Sequence, residues 1–145
     1  MPGDNIGFHL DRLRFEDFKR GFVCSDSEHS PAEEALSFLA YIVILDDSSV
    51  RISVDSELTL CCHTARVQCR IIEIKTRLNR RTGKPLKINQ NQLKSKEIVL
   101  VRINPLNPIC IETFADYPPL GRFLLRQIDK IIAVGLVTQV DKKNK

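Results

Sequence analysis

The stretch from Phe114 to Arg126, FADYPPLGRFLLR, decides how the rest of the chain is interpreted. Pro118 and Pro119 fix φ and have no N–H group, so they cannot lie in the interior of a sheet. Gly121 is expected to adopt backbone dihedrals that other residues avoid. The stretch therefore predicts a rigid corner that leads into a β-strand and places Arg126 on that strand.

The composition is that of a folded protein with an aliphatic core. Among the 145 residues, 43% are hydrophobic and 28% are charged, whereas 6% are aromatic and tryptophan is absent. This length suits one domain, or one domain with a fragment of another. The frequent valine and isoleucine residues favour strands. The formal net charge of +4 permits an acidic partner such as RNA, although ordinary proteins share such a charge.

Short apolar segments separated by turn residues predict an all-β protein. Two strands are predicted first, at Ile6–Leu10 and Gly21–Cys24, and they are too few to close a core. Ser30–Glu33 fits a capping box and predicts one helical turn. Phe38–Leu45 is continuously apolar, as expected of a strand buried on both faces. Turns are predicted at 46–49 and 80–84, and further strands at Glu57–Cys62, Ile98–Ile103, Ile109–Thr113 and Ile131–Val140.

The segment Arg66–Arg81 is ambiguous, because its apolar residues match both helical spacing and strand alternation. Its β-branched content favours the strand. Gly83 is expected to supply a positive φ in the turn that follows, and Gly135 to mark a bulge or a close-packing point in the last strand. The number of short strands predicts an antiparallel barrel or sandwich.

Three short motifs suggest chemistry, and each also has a purely structural interpretation. Cys61, Cys62 and His63, with Cys69 further along, suggest a metal site, but adjacent strand residues face opposite ways, which favours buried structural thiols. A Cys62–His63 nucleophile pair is a weaker alternative. Asp4–Gly7 matches D-x-x-G, but no G-x-x-x-x-G-K-[ST] loop occurs in the sequence, which predicts a turn and no GTP binding by this chain alone.

Basic residues concentrate in two parts of the sequence. On strands, they could line one face and meet phosphates, or they could form an ordinary solvated surface. The first group is Arg66, Arg70, Lys75, Arg77, Arg80, Arg81, Lys84 and Lys87, and the second is Arg122, Arg126 and Lys130.

The sequence also indicates a compartment. Residues 1–20 contain no apolar signal region, and the longest apolar run is too short to span a bilayer. The five cysteines form an odd set with no evident pairing. These features predict a cytoplasmic protein with free thiols and no membrane association.

Several motifs resemble eukaryotic translation elongation factor 1-alpha. They occur in family order and are PGDNIGF from Pro2, CHTARVQC from Cys62, RRTGK from Arg80, LKS from Leu93, and the whole of Phe114–Val140. The resemblance implies an antiparallel six-stranded-type β-barrel, the third domain of the family, at 37–141. It also implies a remnant of the second-domain barrel with two strands at 1–30, a linker at 31–36 and a basic tail at 142–145.

The resemblance further implies a role in protein synthesis. The complete family protein holds GTP and magnesium in its first domain and delivers aminoacyl-tRNA to the ribosomal A site. Its third domain contacts the T arm, which implies a tRNA site here with no catalysis and no cofactor within these residues. Exchange factor and actin are further partners of the family. The implied tRNA-binding residues are His63, Thr64, Arg66, Arg126 and Gln127.

Two other functions remain open at this level. The chain is alternatively a stand-alone protein-interaction module, or the equivalent domain of a release or ribosome-rescue GTPase. The first alternative is motivated by a departure from the family, because Asn107 replaces a basic residue. Further departures are Asp55 and Lys96, which replace glycines of the family, and Gln127, which replaces an acidic residue.

Overall fold

A computed structural model describes residues 1–45, 52–86 and 92–143. A single 3-10 turn, Phe15–Asp17, precedes the strands. The strands are β1 (Ala35–Ile44), β2 (Ile52–Ser53), β3 (Glu57–Cys62), β4 (Ala65–Asn79), β5 (Pro85–Leu86), β6 (Gln92–Leu93), β7 (Glu97–Pro105), β8 (Arg122–Gln127) and β9 (Lys130–Lys142), and the one-turn helix α1 (Pro118–Gly121) precedes β8.

Six of these strands form a closed antiparallel ring. Their order is β3-β8-β9-β1-β7-β4, and β4 pairs with β3 to close it. β5 extends the far end of β4, while β2 and β6 form a separate pair. The predicted all-β fold, an antiparallel six-stranded barrel, is therefore confirmed.

The interior of the barrel is aliphatic, as the composition predicts. The side chains of Phe38, Ile42, Leu60, Val101 and Leu125 are completely or almost completely buried. The expectation that β1 is buried on both faces is wrong. Its burial alternates, since each strand of a closed barrel has one inner face, and the outward side chains remain accessible.

The ambiguous segment forms the longest strand, β4, which confirms the strand interpretation over the helical one. Its pairing with β7 shifts register between Ile71 and Glu73 and again between Ile74 and Thr76. Each shift adds a residue to β4 and resets which side chains face inward. The two shifts account for an apolar spacing that resembles that of a helix.

Residues 1–24 differ from the prediction. Neither Ile6–Leu10 nor Gly21–Cys24 forms a strand, and the side chains of Ile6 and Phe8 are 76% and 60% exposed. A strand needs a partner for its backbone groups, and no described strand pairs with this segment. The sequence therefore carries the alternating pattern of a strand, but the described residues contain no strand that pairs with this segment.

Two other local predictions are also wrong. The helical turn at Ser30–Glu33 is absent, and the Ala32 N–H instead donates to the Ser25 hydroxyl at 2.6 Å, which ties this segment to the residues before it. Ile109–Thr113 makes only an isolated bridge, between Cys110 and Glu34, because the Glu112 N–H donates to the Leu120 carbonyl. The turn expected at 46–49, together with residues 87, 144 and 145, lies outside the described residues.

The corner at 114–121 is present and held by its own backbone. The Phe114 N–H donates to Val137 at 3.0 Å, and the Tyr117 N–H donates to Thr113 at 3.0 Å. The prediction explained the glycine at position 121 by an unusual φ, but the φ of Gly121 is not in the left-handed region. A Cβ there would overlap the backbone of Phe114 and lie 2.7 Å from the Thr113 carbonyl carbon, so close approach explains this glycine.

The other expectations about backbone conformation can be checked directly. Gly83 has φ +65°, as its turn requires, and Gly135 is a close-packing point, since a Cβ there would overlap the Phe123 ring. Asp55 and Lys96 have φ +68° and +63°. These two residues replace glycines of the resembled family, and their backbones retain the left-handed conformation that favours glycine.

Candidate nucleic-acid interface

The predicted site lies on the outer face of β8, β3 and β4, which are neighbours in the ring. Thr59 of β3 pairs with Arg126 of β8 on one side and with Gln68 of β4 on the other. Two residues along β3, Cys61 pairs with Arg66 of β4 in the same way. Because side chains two residues apart in a strand share a face, Arg66 and Arg126 point out of the barrel together.

A cavity of about 460 Å³ lies over this face. It is lined by His63, Thr64, Arg66 and Arg126, so it brings together four of the five predicted residues. We call it the arginine cavity. Its lining also includes Arg20, which the sequence reasoning did not select as a site residue.

Arg20 reaches the cavity because Gly21 lies against the barrel. A Cβ on Gly21 would lie 2.6 Å from the Cβ of Ala65, and the glycine has φ +100°. A larger residue would push this segment away from the β3–β4 hairpin. The Arg20-Gly21 dipeptide was the signal available in the sequence, but its contact with the barrel depends on tertiary packing.

His63 anchors the hairpin between β3 and β4. Its backbone is left-handed, with φ +43°, and its Nε2 lies 3.1 Å from the Cys110 carbonyl oxygen. A carbonyl only accepts hydrogen bonds, so Nε2 carries the hydrogen and donates. The ring therefore joins the hairpin to the segment before the corner and leaves Nδ1 as the other polar atom that a ligand can approach.

The Arg126 guanidinium is incompletely paired. Its Nη2 donates to the Asp129 carbonyl oxygen at 3.4 Å, whereas its Nε is buried and has no hydrogen-bond partner. An unsatisfied buried donor costs about 1–3 kcal/mol. An anionic oxygen that reached this donor would remove that cost and gain a charge-assisted hydrogen bond.

Gln127 does not share this cavity. It follows Arg126 directly in β8, and successive side chains of a strand point to opposite faces, so the Gln127 side chain is directed away from that of Arg126. Asp129 is the acidic residue among those that line the arginine cavity, against three arginines. The cavity is therefore strongly positive.

Within the described residues, the basic middle of the sequence does not form one cationic face, which was one of the two arrangements that the sequence left open. Arg70 is paired with Glu57, and the Lys75 Nζ lies 3.2 Å from Glu73. Arg77 is buried, with its Nη2 2.6 Å from Glu97. These three cations are therefore neutralised by acidic side chains of the barrel. The other described cations of the group lie near the two ends of β4, with Arg66 at one end and Arg80, Arg81 and Lys84 beyond the other.

Cys62 and Cys69 are buried thiols. The Cys62 Sγ donates to the carbonyls of Leu120 and Arg122, and burial raises the pKa of Cys62 to about 12. Burial also raises the pKa of Cys69 to about 12. A thiol with such a pKa is protonated at neutral pH and does not act as a nucleophile, which argues against the Cys62–His63 enzyme.

Thiol labelling tests this interpretation. With a soluble alkylating reagent near neutral pH, we expect the exposed Cys24 to react fast and Cys62 and Cys69 to react slowly until denaturant is added. Peptide mass spectrometry against time measures each rate. Native reaction of Cys62 as fast as that of Cys24 would contradict a structural role.

The described residues hold no group of three or more side chains that could bind a metal ion. No described helix has the length and apolar character needed to cross a bilayer.

Comparison with known proteins relates this geometry to a family. Residues 37–138 match the family model described as "GTP-eEF1A C-terminal domain-like". Elongation factor 1-alpha of Onchocerca volvulus is 40% identical over 142 residues, which cover 98% of this chain and 30% of that protein. The oocyte form from Xenopus laevis is 42% identical over 143 residues, which cover 99% of this chain and 31% of that protein.

A solved structure agrees with these matches. The structure of Sup35 complexed with GDP aligns with 80% of this chain and 28% of its own, with a TM-score of 0.70 and 25% sequence identity. The chain thus spans less than a third of the relatives it matches. Since the family model covers most of the chain, and the identity to elongation factor 1-alpha exceeds that to Sup35, this protein belongs to the elongation factor 1-alpha family and corresponds to its C-terminal portion.

Proposed function

We propose that this chain binds the T arm of aminoacyl-tRNA through the arginine cavity. The observation that carries the proposal is the convergence of Arg20, Arg66 and Arg126 on one cavity, with the exposed Thr64 beside them. Guanidinium groups match phosphate geometry and retain their charge under all ordinary conditions. A hydroxyl adds a neutral hydrogen bond to the same kind of ligand.

The chemistry of the cavity favours the nucleic-acid backbone over the bases. Arginines on the outer face of the barrel can meet the phosphates that lie on the outside of a duplex, and such contacts position the partner without reading its sequence. Sequence-independent binding suits a factor that handles many different tRNAs. His63 contributes by fixing the hairpin that carries Thr64 and Arg66.

The wider role follows from the family. As the C-terminal portion of a translation factor, the chain would contribute tRNA contacts to GTP-dependent delivery at the ribosome, with exchange factor and actin as possible protein partners. It would itself be non-enzymatic and would act in the cytoplasm. GTP and magnesium would bind to the GTPase part of such a factor, since the sequence given has no phosphate-binding loop.

The proposed domain division is 1–30, 31–36, 37–141 and 142–145. The first part would complete a second barrel. Its exposed apolar residues support this assignment, because Ile6, Phe8 and Phe15 would be covered there, and Phe15 is 93% exposed in the structure.

The cavity assignment predicts the effect of one substitution. Arg126→Ala is expected to weaken binding of a T-arm RNA hairpin several-fold at low salt and to reduce the slope of log affinity against log salt by about 0.7–0.9, the value of one phosphate contact. Fluorescence titration at several salt concentrations measures both quantities.

Arg122→Ala is the matched control. Arg122 lies on the same strand and carries the same charge, but its side chain lines a different, apolar groove with Tyr41 and Leu136. We expect its effect on RNA affinity to be small. Equal losses in the two variants would indicate a general charge effect, and unchanged affinity in Arg126→Ala would favour the protein-interaction alternative.

A further inference from the structure

A second cationic surface lies at the far end of β4. There the turn from Asn79 to Lys84 is held by its own hydrogen bonds. The Gly83 N–H donates to the Asn79 carbonyl at 2.8 Å, and the Arg81 N–H donates to the Asn79 side chain at 2.9 Å. Arg80, Arg81 and Lys84 are exposed on this ordered turn.

The turn between β6 and β7 lies opposite and adds two lysines. Lys94 and Lys96 are exposed, and the Lys96 N–H donates to the Ile44 carbonyl at 3.1 Å. The two turns enclose a cleft of about 640 Å³, lined by Arg80, Arg81, Ser95 and Lys96 among others. We call it the far-end cleft.

The acidic residue that lines this cleft is already engaged. Glu97 Oε2 accepts from the Arg77 Nε at 3.1 Å, from the Arg77 Nη2 at 2.6 Å and from the Lys94 N–H at 3.3 Å. Its charge is thereby committed to a buried arginine. Within the described residues, no ion pair involves the side chains of Arg80, Arg81, Lys84 or Lys94.

The cleft is separate from the arginine cavity. Ala65 and Asn79 mark opposite ends of β4, and 15 residues of extended chain span at most about 45 Å at about 3.3 Å per residue. Between the two ends, the basic side chains Arg70, Lys75 and Arg77 are paired with acids on the barrel itself. A single phosphate group cannot contact both ends.

We propose that the far-end cleft is a second site for the phosphate backbone of RNA. Arginine, lysine and serine side chains dominate its lining, with Leu86 as an apolar contact. The buried centre of a protein–protein interface is usually apolar and depleted in charge, so this lining fits a phosphate backbone better than a protein surface. No aromatic side chain lines the described cleft to stack on a base, which favours backbone contacts over nucleotide recognition.

The test compares two double variants that lose the same charge. Arg80→Ala/Arg81→Ala removes the proposed contacts, whereas Arg70→Ala/Lys75→Ala removes two cations of β4 that are paired with Glu57 and Glu73. The probe is a short blunt-ended RNA duplex, and binding to the full chain is titrated at several salt concentrations. Thermal unfolding of each variant checks that the barrel is intact.

We expect Arg80→Ala/Arg81→Ala to weaken RNA binding about tenfold at low salt and to reduce the salt slope by about 1.5, as two lost phosphate contacts require. The control should lose less than about twofold, with an unchanged slope. Equal losses in the two double variants, or no loss in the first, would overturn the proposal. So would a polyglutamate peptide that binds the wild-type chain more tightly than the RNA does and loses that affinity in Arg80→Ala/Arg81→Ala, because the preferred occupant would then be an acidic protein.

The proposal for the far-end cleft can be tested independently of the proposal for the arginine cavity. Because Arg80→Ala/Arg81→Ala leaves Arg126 in place, a loss seen only with Arg126→Ala overturns the far-end site alone. A loss seen only with the far-end variant overturns the arginine cavity alone. If one RNA duplex contacts both sites, the two losses should multiply in the combined variant, since the sites share no contacts.

Discussion

Replacing Phe38 with alanine is expected to lower the free energy of unfolding by about 3–5 kcal/mol. The Phe38 side chain is completely buried, and its ring meets Phe123 edge to face, with 5.5 Å between the ring centroids. The substitution removes apolar side-chain surface that folding buries, leaves a cavity and breaks an aromatic pair. Equilibrium denaturation followed by circular dichroism measures the change.

Tyr41→Ala provides the control for Phe38. Tyr41 lies on the same strand, but its side chain points outward and is 42% exposed, so its loss should cost less than about 1 kcal/mol. If Phe38→Ala proves too unstable to purify, Phe38→Leu should still lose about 1 kcal/mol or somewhat more. Equal costs at the two positions would contradict the inward and outward assignment of β1.

Gly121→Ala is expected to destabilise the protein by about 3 kcal/mol, which is large for the addition of one methyl group. The new Cβ would overlap the Phe114 backbone, and backbone atoms held by the Phe114–Val137 hydrogen bond cannot move as a side chain can. Thermal and chemical unfolding measure the loss.

Gly7→Ala is the matched substitution. A Cβ at Gly7 meets nothing within 4 Å, so we expect a change within about 0.5 kcal/mol. A small effect at Gly121 would show that the corner can open, which would contradict its role as the rigid connection into β8.

Much of the barrel could be predicted from alternation and turn residues, and the structure explains the exceptions. The apolar spacing in β4 was ambiguous because two added residues reset its inward face, and such shifts depend on the partner strand. The alternation at Ile6–Leu10 was real, but a strand also requires a neighbour. The reason for Gly121 was wrong because the sequence indicates freedom of φ and says nothing about how near Phe114 lies.

Only part of the candidate site could be predicted from the sequence. The resemblance supplied His63, Thr64, Arg66 and Arg126, which line the cavity, and also Gln127, which does not. Arg20 was missed because its place beside β3 depends on long-range packing. Whether the basic middle forms one face stayed open, since ion pairs between strands cannot be deduced from the order of residues along one strand.

The closed ring has one short strand pairing, between β3 and β8, which we call the seam. It lies beneath the arginine cavity. β3 and β8 are joined through four paired positions, Thr59–Cys62, whereas β1 and β9 are joined through nine. Local opening of a sheet is easiest where the fewest backbone hydrogen bonds must break. A polyanion that contacts Arg66 on one side of β3 and Arg126 on the other would hold this seam shut. RNA binding and the local stability of the barrel would then be thermodynamically linked at the same place.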